Sequence, residues 1–132
     1  MSVGPEGTAL GRYQLAAGLW LAAIFLLTLW PRPPEILPDL PRVPGADKAS
    51  HALLYGVEGW LLARAARPSP GTRITRRVVA ISLFLIPVAL LNEALQWLTP
   101  PRTPQWGDFV ADVAGGALGA WVAARRTRSR EP

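Results

Sequence analysis

The sequence predicts an all-α protein: an integral membrane four-helix bundle of up-down topology with both termini cytoplasmic. Three observations carry this. Half of the 132 residues are apolar and the mean hydropathy is positive, both high for a water-soluble chain. The apolar residues gather into four runs near the length that crosses a hydrocarbon core. The basic residues divide unevenly between the ends of those runs.

The first helix is expected over about 12–30. Its stretch LAAGLWLAAIFLLTL has no charge, with Tyr13 and Trp30 as amphipathic aromatics near the two interfaces. A cleaved signal peptide is the alternative, disfavoured by the length of the run, the single basic residue before it and the lack of a small-x-small site at its end. The second, about 48–66, carries His51, Glu58 and Arg64 and could also be a soluble helix. The third, about 77–98, is apolar until Asn92, Glu93 and Gln96, with Pro87 expected to remove a backbone hydrogen bond and kink it. The fourth, about 106–124, is rich in glycine and alanine. Between the first two, PRPPEILPDLPRVPGADK holds too many prolines for a helix and reads as an extended loop over the outer mouth. No internal repeat appears, so residues 1–132 read as one domain. The absence of cysteine excludes disulfides and thiolate metal sites.

Arg12, Arg64, Arg67, Arg73, Arg76, Arg77 and the tail 125–132, RRTRSREP, fall on one side of an up-down path. The other side has Arg32, Arg42, Lys48 and Arg102, partly offset by Glu35, Asp39, Asp47 and Asp108. The first side is therefore cytoplasmic. The net charge of +5 needs no nucleic-acid partner, because arginines beside a spanning helix meet anionic headgroups.

With that orientation the remaining ionisable groups share one outer level. Residues three, four and seven apart share a helix face. Asp47, His51 and Tyr55 form a stripe that Glu58 extends toward the midplane. Glu93 and Gln96 form a second, with Asn92 adjacent. Asp108 and Asp112 form a third, continued by Gly115, Gly116 and Gly119. Facing these stripes to lipid costs about 2.5–3.5 kcal/mol per central charge, so they are expected to face one another. Gly115 and Gly119 form a small-xxx-small face that permits close helix approach.

These residues resemble the VanZ-like membrane proteins, a family linked to teicoplanin resistance. The resemblance rests on Asp47, Lys48, His51 and Tyr55 in a D-K-x-x-H-x-x-x-Y pattern, Glu93 and Gln96 in E-x-x-Q, then Arg102, Asp108 and Gly115, Gly116 and Gly119. It covers about 47–119. Asp112 stands where that family usually has asparagine, and Gln105 where it often has a short polar residue. The resemblance implies a multi-pass protein of the bacterial cytoplasmic membrane, part of the cell envelope, acting in glycopeptide (teicoplanin) resistance.

Two classes of activity are compatible with the cluster. In the first it is an outward-facing pocket that binds a lipid-linked cell-wall precursor, a phospholipid or the glycopeptide itself, through Asp47, Lys48, Tyr55, Gln96, Arg102 and Asp112. The cations would meet phosphates or carboxylates, and the carboxylates and amides would meet hydroxyls and amines. In the second it is a membrane-embedded enzyme, with His51, Glu93 and Asp108 as acid–base groups and His51 oriented by Asp47 or by a carboxylate from another helix. No cofactor is called for. His51 with Glu93, Asp108 and Asp112 offers donors suited to zinc, manganese or magnesium, but at no recognised ligand spacing, so no metal is assigned. The bland alternative is that the polar groups pair to hold the helices, Asp108 with Arg102 or Asp47 with Lys48. Besides the lipid bilayer, the partner left open is a second copy of the chain. Transport is disfavoured by the small bundle without repeats, unless a homo-oligomer forms.

Overall fold

The computed structural model describes residues 5–30, 44–66, 73–98 and 105–128. They form four α-helices: α1 Pro5–Leu29, α2 Ala46–Ala65, α3 Ile74–Trp97 and α4 Trp106–Arg128. No strand occurs among the described residues.

Each end has a local cause. Pro5 opens α1, where proline's missing N–H is not needed, and Pro31 stops it by disfavouring helical backbone at Trp30. Before α2, Gly45 takes φ 81°, a left-handed conformation that side chains with a Cβ rarely adopt. Its carbonyl accepts the Ala49 N–H at 2.9 Å, and Asp47 faces the positive end of the helix dipole in the first turn. Arg77, from the first turn of α3, donates to the carbonyls of Ala63 and, at 2.7 Å, Ala66, covering the end of α2. At the head of α4 the Gln105 carbonyl accepts from the Asp108 N–H at 2.9 Å and the Phe109 N–H at 3.4 Å. Pro87 sits inside α3 without ending it.

The helices overrun the expected bounds. α1 begins at Pro5 rather than near 12, α3 at Ile74 rather than 77, and α4 continues to Arg128 instead of stopping at 124. An apolar run marks what hydrocarbon accepts. Helical backbone continues past it into the polar turns of α3 and α4, where arginine is a good helix former. The first connecting loop and Arg102 lie outside the described residues.

Cross-helix contacts fix the directions. Tyr13 near the start of α1 stacks edge-on against Trp60 near the end of α2, at 5.9 Å between centroids, and Arg64 donates to its hydroxyl at 3.1 Å. The start of α3 meets the end of α2 through Arg77. Lys48 at the start of α2 reaches Asp108 at the start of α4. Successive helices therefore alternate in direction, with α2 parallel to α4. The closest packing is between α2 and α4, while α1 leans on α2 and α3 and makes no contact with α4 among the described residues.

Two helices, α1 over Gly11–Leu29 and α3 over Ile74–Trp97, are long and apolar enough to cross a membrane. In α2 and α4, also expected to span, charged residues and a high share of glycine and alanine lower the hydropathy. Around a core of Ile24, Tyr55, Ile81, Leu85 and several alanines, many large apolar side chains are nonetheless exposed and several polar ones are enclosed. Leu15, Leu19, Leu26 and Leu27 of α1 and Leu83, Phe84 and Leu91 of α3 point outward, while Glu58, Asn92 and Asp112 are fully buried.

Candidate functional site

The site is built on the seam between α2 and α4. A Cβ added at Gly59 would strike the Gly116 backbone, one at Gly115 the Ala52 carbonyl, and one at Gly119 the Gly56 carbonyl. The backbones thus touch over about two turns, as the small-residue face of α4 predicts. The matching glycines of α2, Gly56 and Gly59, escaped the sequence reading, although their spacing of three places them on one face.

This contact brings the polar stripes of the two helices together one turn beyond the glycines. His51 Nδ1 lies 3.0 Å from Asp112 Oδ1, with the His51 side chain 5% exposed and that of Asp112 fully enclosed. One turn toward the helix starts, Lys48 Nζ donates to Asp108 Oδ1 at 3.1 Å and to Gln105 Oε1 at 2.9 Å. Gly107 makes room for that lysine, since a Cβ there would collide with its side-chain end. The Gln105 backbone N–H donates to Glu93 Oε2 at 3.2 Å, tying α3 into the same level. Deeper in, the Thr28 hydroxyl of α1 lies 2.7 Å from both Asn92 Oδ1 and the Ile24 carbonyl, which share its single proton.

Most of the expected site residues therefore meet. His51, Glu93, Asp108 and Asp112 come from three helices and are all buried; Gln96 is buried one turn from Glu93, and Tyr55 one turn below His51. Lys48 and Asp47 form the more exposed edge. Arg102 lies outside the described residues. The pairing differs from the expected one: Lys48 is held by Asp108 rather than by its neighbour Asp47, and the carboxylate on His51 comes from Asp112 of α4. Thr28 was not foreseen, because a threonine closing an apolar run gives no sign of its partner. Among the described residues Glu93, Asp108, Asp112 and His51 are buried, and Lys48 is the exposed cation at their edge; the outer connections that would line a pocket lie outside the described residues.

Comparison with family models, curated proteins and solved structures found no match.

The chemistry must be read from the residues themselves. Several enclosed oxygens and nitrogens have no hydrogen-bond partner: Glu93 Oε1, Gln96 Nε2 and Asp112 Oδ2 around the cluster, and Glu58 Oε2 farther along α2. Orphaned buried polar atoms cost about 1–3 kcal/mol each. A group of them at one level is more than helix pairing requires. Two overlapping sets, His51 with Glu93 and Asp112, and His51 with Asp47 and Asp108, bring metal-competent donors together. The same His51–Asp112 pair has the geometry of an oriented acid–base group.

Proposed function

We propose that the chain is a multi-pass protein of the bacterial cytoplasmic membrane, similar to the VanZ-like proteins. In this reading all four helices cross the bilayer, both termini are cytoplasmic, and the cluster lies at the outer leaflet. There it recognises the charged headgroup of a lipid-linked cell-wall precursor, a phospholipid or a glycopeptide, and so protects the cell against teicoplanin.

The observation that supports the reading is the apolar exterior of α1 and α3 over enclosed polar groups, together with the segregation of charge. Buried carboxylates and amides inside an apolar exterior are what a bilayer demands, since an ionisable group facing lipid is costly. Arg12, Arg64, Arg73, Arg76, Arg77, Arg125 and Arg126 all sit at the end opposite the cluster, which supports a cytoplasmic assignment for that end. Lys48, with its side chain 46% exposed, is the cation available to a phosphate or carboxylate at the rim. The buried carboxylates and amides behind it suit hydroxyls and amines.

The test is teicoplanin susceptibility in a sensitive Gram-positive host expressing the wild type, His51→Ala or Asp108→Ala at matched membrane levels. The wild type should protect, and both variants should reach the membrane without protecting. An unprotective wild type present in the membrane would remove the resistance role.

A further inference from the structure

We propose that His51, Glu93 and Asp112, brought together from α2, α3 and α4, hold one divalent transition-metal ion, zinc or manganese. One donor atom from each lies within 4.8 Å of the other two, and all three residues are buried. Glu93 Oε1 and Asp112 Oδ2 are enclosed and without a hydrogen-bond partner, although they belong to the two residues already in the group. An unsatisfied carboxylate oxygen shut away from water requires a cation or a proton.

The choice of this set over its neighbour follows from the pairing. Asp108 is neutralised by Lys48 at 3.1 Å and sits nearer the exposed edge, so the outer set of Asp47, His51 and Asp108 has less need of an ion. The inner set itself holds two buried carboxylates against one imidazole, an excess of negative charge that a divalent ion would offset.

The geometry is compatible with a coordination shell. Donors about 2.0–2.2 Å from one ion stand roughly 3–3.6 Å apart at right or tetrahedral angles, and His51 Nδ1 and Asp112 Oδ1 are 3.0 Å apart in a hydrogen bond that the ion would replace. The donor types narrow the ion. Imidazole favours zinc and other late transition metals, whereas carboxylates favour manganese and magnesium, so one nitrogen among carboxylate oxygens points to zinc or manganese. The Gln105 N–H on Glu93 Oε2 at 3.2 Å orients that carboxylate and leaves Oε1 without a partner, the kind of support that tunes metal ligands.

The inference does not depend on what ligand the protein recognises, so its test uses metal alone. The full chain is purified in detergent without chelator and its metal content measured. It is then stripped and titrated with Zn²⁺ or Mn²⁺ by calorimetry, alongside Asp112→Asn, Glu93→Gln and, as a control away from the set, Glu58→Gln. Helical content and elution volume establish that each variant is assembled. About one equivalent of zinc or manganese in the wild type and in Glu58→Gln is expected, with affinity falling at least about tenfold in the other two. A wild type that takes up less than about a tenth of an equivalent of either ion overturns the proposal, whatever the variants do. So does undiminished uptake by assembled Asp112→Asn and Glu93→Gln. In that case protons on Glu93 and Asp112 quiet the same oxygens.

Discussion

At the scale of single residues, the cluster is layered, and each layer links different helices. Lys48 and Gln105 make the outer layer, His51, Glu93 and Asp112 the middle, and Asn92 with Thr28 the layer that recruits α1. The Thr28 bond is the simplest to weigh, because the hydroxyl serves only Asn92 and the backbone of its own helix. Thr28→Val keeps the shape and removes the donor. If the helices span a bilayer as proposed, it should cost about 0.6 kcal/mol, the average for interhelical hydrogen bonds in membranes, and no more than about 1.7. Reversible unfolding in mixed micelles measures it, and a loss well above that ceiling would mean that α1 itself detaches. Which side chains share a helix face was legible in the sequence, since spacing fixes it. Asp47, His51, Tyr55 and Glu58 do lie along one stripe. Which partner each takes was not legible, because the spacing within α2 says nothing about the rotation and depth of α4 against it. Lys48 accordingly turned up on Asp108 instead of Asp47, and His51 on Asp112.

At the scale of elements, the α2–α4 seam sets the position of the site. Gly56, Gly59, Gly115, Gly116 and Gly119 let the helices approach until only backbone separates them, and His51 and Asp112 meet as a result. Gly119→Val places a branched side chain against the Gly56 carbonyl, which has no rotamer by which to move aside. Overpacking of cores typically costs about 1–3 kcal/mol, and an obstacle of backbone puts this variant near the upper figure. Gly18→Ala in α1 is the matched control, since nothing lies within 4 Å of a Cβ there, and it should be neutral or slightly stabilising. Melting curves of the two in detergent decide the matter; equal melting temperatures would show the seam to be looser than the structure has it. The four helices themselves were legible as apolar runs. Their ends were not, because Arg76, Arg77, Arg125 and Arg126 leave the apolar pattern without leaving the helix.

At the scale of the whole molecule, alternation of direction places the start of α1 and the end of α4 at the arginine-bearing end, where Arg64 also sits over the Tyr13 ring at 5.0 Å and the Trp60 ring at 5.7 Å. The proposed orientation makes a direct forecast. A fluorescent protein fused after residue 132 should fluoresce, and alkaline phosphatase fused there should be inactive; active phosphatase would invert the topology. In chain order α2 precedes its closest neighbour by a whole helix, since α3 lies between α2 and α4. A chain cut before residue 106 would lack the carboxylates of Asp108 and Asp112 that meet Lys48 and His51, so the polar seam is completed only by the last helix described.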